Sequence, residues 1–243
     1  MELPSRGRAG TSRRQLLIGS ASLDNPTYWW YVARTRLLER VLGSYVSDNA
    51  RVLDVGSADG PSVSWLGERV AVDVDPRGLR PGGVCAAVEA LPFPDDHFEV
   101  VSAFDVVEHC EDEALALSEL RRVTTPGGVL LLSVPAYQWM WSRFDVRAGH
   151  HRRYTRSRLR RATQRAGLKV ERATYVFAST LPFFLVVRLL TKLKGTGGEH
   201  VRPLPSVVER SLLAMTRLDE ALLRRWNLPA GSSVVMVARK EPS

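Results

Sequence analysis

The sequence predicts an α/β fold built on a doubly wound, mostly parallel sheet, and three observations carry that expectation. Short apolar runs alternate with helix-like stretches from Arg51 onward, the order that gives parallel strands joined by crossover helices. The run VLLLSV at 129–134 is apolar at every position but one, as a central strand covered on both faces must be. The run VLDVGSADG at 52–60 reads as a buried strand entering a glycine-bearing turn, where backbone can approach a ligand closely.

The 243 residues are 44% hydrophobic and 25% charged, enough for one substantial core. Residues 1–22, with Ser, Gly and four Arg, read as a disordered tail, and 23–243 as a single domain. Within the tail, Ser12-Arg13-Arg14-Gln15-Leu16-Leu17 is similar to a twin-arginine export signal. The apolar stretch behind it is short, broken by Gly19 and Ser20 and closed by Asp24, so export is not expected.

Pro26 to Val46 opens with Tyr28-Trp29-Trp30-Tyr31 and continues with Val32, Leu37, Leu38, Val41 and Leu42 at helical spacing. The aromatic cluster either packs on the sheet or forms a lid. Strands are expected at Arg51–Val55, Arg69–Val74, near Val84–Val88, and at Phe98–Val106. Between the first two, PSVSWLGE has room for only a short helix. Glu111, Asp112 and Glu113 put negative charge at the start of a helix and Arg121 and Arg122 positive charge at its end, with Pro126-Gly127-Gly128 as the stop. The strand of 129–134, an arginine-rich helix at Ser157–Ala166, a strand at Leu168–Phe177 and a last strand at Ser232–Ala238 complete the pattern.

A helical insertion, 178–230, precedes the last strand. Its first part, around TLPFFLVVRLLTKLK, is shorter than the ~20 apolar residues a bilayer span needs and is interrupted by Arg188. Arg188 and Lys192 share one face, while Phe183, Phe184, Val187 and Leu190 lie elsewhere. The segment 181–193 therefore reads either as a cap over a substrate pocket or as an interfacial helix in peripheral membrane contact. In the second part, Val208, Leu212, Met215, Leu218 and Leu222 form a stripe expected to be core.

The formal charge is +8, and the basic residues, mostly arginine, read as scattered along the chain, an effect of coding bias more than of function. A nucleic-acid partner is therefore not expected; Arg152 to Arg161 would be its best candidate. Cys85 and Cys110 form no CxxC pair and read as reduced and structural. A cytoplasmic location fits, with peripheral membrane contact as the alternative.

Beyond VLDVGSADG, the sequence carries RVAVDVDP, LPFPDDHFEVVSAFDVVEH and ELRRVTTPGGVLLLSVPA. Together these resemble the class I S-adenosylmethionine (SAM)-dependent methyltransferases, from about Trp29 to the C-terminus. The resemblance implies a Rossmann-like seven-stranded sheet whose last strand is antiparallel and inserted beside the fifth. It also implies SAM as cofactor. Asp54, Gly56, Ser57 and Gly60 match the family's first motif, with Ala58 where a middle glycine is common. Asp73 matches the acid that accepts both ribose hydroxyls, a task suited to a carboxylate, with Asp75 as backup and Val74 between them. The acid that often receives the adenine amino group falls on Ala87, so Glu89 or main chain near Val88 takes that contact. Arg34 or Arg36 would meet the SAM carboxylate.

Methyl transfer requires a positioned nucleophile and, for a hydroxyl, a base. Candidates are Asp105, Glu108 and His109 at the end of the fourth strand, and His150, His151 and Tyr154 after the fifth; Asp105 also counts among the cofactor contacts. Asp105, Glu108, His109 and a histidine of the 150–151 pair would chemically suit a divalent metal. Similar patterns do so in some methyltransferases of quinones and RNA ends, but those carry Glu at the position of Asp105, and no metal is assigned. The expected function is methyl transfer from SAM to a small-molecule, apolar or lipid-like acceptor. An RNA methyltransferase and a non-catalytic SAM-binding protein are the alternatives.

Overall fold

The computed structural model describes residues 27–56, 60–193 and 204–242. Within them lie strands β1 (Val52–Val55), β2 (Val70–Asp73), β3 (Val84–Cys85), β4 (Phe98–Phe104), β5 (Thr124–Pro135), β6 (Lys169–Val176) and β7 (Ser233–Arg239). They form one sheet in the order β3-β2-β1-β4-β5-β7-β6, with β7 antiparallel to β5 and β6 and the other pairs parallel. Strand order reverses between β1 and β4, and ligands of open α/β sheets bind outside the carboxyl ends of strands at that switch point. β1 and β4 are buried almost throughout, so the switch point is fixed by apolar packing.

The described helices are α1 (Trp29–Leu42), α2 (Glu113–Val123), α3 (Arg143–Ala148), α4 (Arg156–Arg165), α5 (Leu181–Leu193) and α6 (Ser206–Leu223). α1 packs on α6, and α2 on α4. α1 buries Trp29, Ala33, Leu37, Leu38, Val41 and Leu42, one face at helical spacing. α2 starts where Asp112 accepts hydrogen bonds from the Ala114 and Leu115 amides, and arginines close it, as its charges predict. No described helix is long and apolar enough to cross a membrane.

The crossover after β1 is the short helix expected there, a 3-10 turn over Pro61–Leu66 with Gly67 at φ +73° after it. Two local features differ from the sequence expectations. α3 was not expected; Ser142 and Asp145 close a capping box at its start. In α6, Leu212 is buried as expected, but Met215 and Leu218 are 40% and 58% exposed. The buried line is Leu212, Thr216, Asp219 and Leu223. Two polar contacts fix that rotation: Asp219 accepts from the Ser179 amide at 3.0 Å, and Arg172 donates to the Leu223 carbonyl at 2.6 Å. The tail 1–22 and residues 194–203 of the insertion lie outside the described residues.

Candidate active site

β1 and β2 build one half of the crevice. Gly56 sits at φ +80°, and a Cβ there would lie 2.3 Å from Cγ2 of Val106, so both conformation and space demand glycine. Its amide donates to the Val72 carbonyl at 2.7 Å, tying the turn to β2. Asp54 is fully buried beneath this turn, with Oδ1 accepting from the Ser102 hydroxyl at 2.6 Å and Oδ2 lying 3.8 Å from Arg69. From inside the sheet it supports the turn, the loop-ordering role that its place in the motif implies. Ser57 and Ala58 lie outside the described residues; Gly60 is buried at the start of the 3-10 turn.

Asp73 ends β2, and its Oδ1 accepts from the Asp75 amide at 2.9 Å. Asp75 caps the turn that follows and is paired with Arg77, whose hydrogen bonds hold its carboxyl below the ordinary carboxylate pKa. Asp75 is thus engaged by Arg77, while Asp73 stands at the carboxyl end of β2. Val74 is 66% exposed between them, whereas Val88 is buried. Glu89 lies beside Cys110; burial, and then this carboxylate, push the Cys110 thiol up to about 12. Both cysteines are free.

The carboxyl edge is strained at three successive places. Asp105 after β4, Tyr137 after β5 and Phe177 after β6 have φ of 60°, 57° and 62°. Each such non-glycine conformation costs about 1–3 kcal/mol and persists only where the surroundings enforce it. At Asp105 the enforcement is visible. Its amide donates to the Ser133 carbonyl at 2.8 Å, and Oδ2 accepts from Arg34 of α1 at 2.8 Å. Arg34 is buried and Arg36 exposed, so only Arg34 enters the crevice. The Arg34 guanidinium lies 5.7 Å from the Trp30 ring, and Trp30 stacks on Phe177 at 5.7 Å. Trp29 stacks on Phe184 of α5 at 6.0 Å. An apolar wall therefore leads from the charged pair toward the insertion. Beneath α5 the Ser179 and Thr180 hydroxyls have no partner among the described residues.

The polar half gathers Glu108, His109 and His150, whose ligand-type atoms lie within 4.8 Å of one another. Glu108 is fully buried and neither carboxyl oxygen has a partner among the described residues. Burial, and then Asp105, push its pKa well above the ordinary carboxylate range, which favours its neutral form. The His109 and His150 rings meet edge to face at 4.6 Å. His109 as a residue is exposed, yet loss of water around its ring, and then His150, lower its pKa to about 4.

Sequence reasoning missed the group that orients this cluster. Asp145 of α3 is fully buried; its Oδ1 lies 2.9 Å from His150 Nδ1 and accepts from Arg153 Nε at 2.6 Å. These partners hold the Asp145 carboxyl far below its ordinary pKa despite its burial, so it is ionised and His150 Nδ1 is the donor. The other ring nitrogen, Nε2, then faces away from Asp145. The signal was present as Ser142 followed three residues later by Asp145, a capping-box spacing. Two candidates leave the site. Tyr154 is buried with its hydroxyl on Glu113 of α2 at 2.7 Å and Arg158 over its ring, so it locks α2 and α4 to β5. His151 is exposed, its amide bound to the Glu108 carbonyl at 2.7 Å.

A family model described as a methyltransferase domain matches residues 31–173. The malonyl-[acyl-carrier protein] O-methyltransferase of Halorhodospira halophila is 38% identical over 115 residues, 40% of this chain and 39% of that protein. The protein of the same name from Erwinia billingiae is 30% identical over 215 residues, 79% of this chain and 82% of the relative. Among solved structures, a chain from the complex of the Haloferax volcanii Trm112 methyltransferase activator with a methyltransferase superposes with a TM-score of 0.58. It shares 16% identity and covers 91% of this chain and 94% of that chain, a likeness of fold.

Proposed function

The chain belongs to the class I SAM-dependent methyltransferases, and on that premise we propose that it methylates a small, lipid-like acyl acceptor presented as a thioester on a carrier protein. SAM supplies, when bound, a methyl group on a cationic sulfur. The residues present fit it: Gly56 leaves the backbone bare at the turn, and Asp73 ends β2 with a carboxylate suited to a ribose diol. Arg34, held on Asp105, is the cation we assign to the amino-acid tail.

The observation that carries the acceptor reading is that the carboxyl edge holds both an apolar wall, Trp30 on Phe177, and a buried carboxyl, Glu108, with no partner among the described residues. A neutral carboxyl group can donate a hydrogen bond to an acceptor oxygen, and the wall takes an alkyl chain. Acceptor attack forms an O–CH3 bond while the C–S bond breaks with its electron pair left on sulfur. A carboxylate acceptor gives a methyl ester and loses no proton. A hydroxyl acceptor would pass its proton to His150 Nε2, with Asp145 stabilising the imidazolium. The names of the two malonyl-[acyl-carrier protein] relatives support the carboxylate case.

Incubation with methyl-labelled SAM and malonyl-[acyl-carrier protein] tests the reading. Label recovered as a methyl ester on the acyl group is the expected result. Label recovered only on lipid hydroxyls, or on no acyl thioester, would remove this acceptor class.

A further inference from the structure

The basic residues of this chain are densest in one stretch. Of its 34 basic and 26 acidic residues, positions 143–165 hold nine arginines and one acid, Asp145. Those 23 residues therefore carry a net +8, the whole formal excess, and the rest of the chain is balanced.

The structure sorts these arginines. Arg153 is buried on Asp145, Arg158 faces Glu113, and Arg152 donates to the Glu111 carbonyl. Arg143, Arg160, Arg161 and Arg165 make no ion pair among the described residues. In α4, Leu159 and Thr163 are buried, Arg161 and Arg165 are exposed, and Arg160 is half-buried. In α3, Asp145 alone is buried, so Arg143, Phe144, Val146 and Arg147 form an exposed face. Phe144, 53% exposed, also lies edge-on to His150 with ring centroids 6.1 Å apart. This face therefore borders the polar half of the candidate active site.

We propose that the outer face of α3 and α4 is the docking surface for an acidic carrier protein that delivers the acceptor on a flexible arm. The proposal rests on the acceptor reading above and adds where the carrier binds. Unpaired arginines meet acidic side chains of the carrier, and steer its approach. Phe144 and Val146 give the contact an apolar centre, the composition of a protein interface more than of a nucleic-acid groove lined with stacking rings. Docking beside Phe144 places the arm next to His150, within reach of the crevice.

The test compares malonyl-[acyl-carrier protein] with malonyl-pantetheine, which carries the same thioester arm and no protein. Arg160→Glu/Arg161→Glu should raise KM for the carrier-borne substrate about tenfold or more with kcat nearly unchanged, because charge reversal at an interface acts on association. KM for malonyl-pantetheine should stay within about twofold, and the wild-type KM for the carrier should rise with salt. Arg143→Glu, on the other helix, should act in the same direction and serves if the double variant does not fold. Equal effects on both substrates, or none on either, would overturn the proposal. So would unchanged carrier kinetics accompanied by lost retention of RNA or of anionic vesicles, which would give the face to those partners. If the wild type methylates neither thioester, the acceptor reading fails on its own. The docking face is then judged by fluorescence anisotropy with the unloaded carrier protein: salt-sensitive binding lost on charge reversal keeps it, and no binding by the wild type sinks it.

Discussion

His150 and Asp145 are joined by a 2.9 Å contact between Nδ1 and Oδ1, which ties the residue just past α3 to the aspartate that completes the capping box of that helix. One carboxylate therefore fixes both the helix and the ring that faces Glu108 and His109. Asp145→Asn keeps the shape but removes the charge that dictates which ring nitrogen carries the proton. Turnover should fall about tenfold or more while SAM affinity is retained, as expected for a partner that orients a functional histidine. Unchanged turnover would make the pair purely structural. The same aspartate has a folded pKa below its unfolded value near 4, so its stabilising effect is present above that pH and is lost as pH falls further. Asp145→Asn should flatten the acid limb of the stability curve in chemical denaturation.

His109 should be neutral throughout the physiological range. Its pKa lies at about 4, below the ordinary imidazole value, so between those values the unfolded chain binds the extra proton and stability falls as pH falls. An NMR titration of the ring reads this directly; a midpoint near 6.5 would mean that the ring is not desolvated as described.

Asp73 and Asp75 should separate in a binding experiment. Asp73→Ala should weaken SAM by about tenfold or more, on the order of 1.4 kcal/mol, with the fold intact. Asp75→Ala should have the smaller effect, because that carboxylate already holds Arg77 and a turn amide. Calorimetry on both variants decides, and the reverse ranking would move the diol contact to Asp75.

Gly56 and Gly67 have similar φ, 80° and 73°, but only at Gly56 would a Cβ strike anything within 4 Å. Gly67→Ala should therefore cost about 1–2 kcal/mol, the left-handed penalty alone. Gly56→Ala should cost more and should weaken SAM binding, since Val106 or the turn must move. Thermal melts of the two variants compare them; equal losses would show that the Val106 contact relaxes freely.

Phe184 holds α5 to Trp29, while Val186 and Val187 are exposed on the same helix. Phe183→Ser/Phe184→Ser should raise the Michaelis constant for an acyl acceptor if α5 roofs the crevice, because each lost aromatic contact removes about 1.5–3 kcal/mol of apolar burial. Salt-sensitive wild-type flotation with anionic liposomes that the variant loses would instead make α5 a membrane-docking helix.

The sequence by itself determined where the strands of the parallel core fall along the chain, the glycine turn after β1 and the acid at the end of β2. Those features are local: apolar runs of strand length, a residue that tolerates positive φ, and a carboxylate one strand later. The antiparallel place of β7 was legible only through the family resemblance, since its apolar run does not encode direction. The tertiary structure alone decided which charged groups meet. Arg34 and Arg36 are equivalent in pattern, and only the rotation of α1 on the sheet buries one against Asp105. Tyr154 is three residues from His151 and looked equally able to serve the site, yet packing sends its hydroxyl to Glu113. Met215 and Leu218 had core spacing, but the Asp219 and Arg172 contacts turned α6 so that both are exposed. In each case side chains with matching local pattern were separated by a long-range contact, which a linear chain does not display.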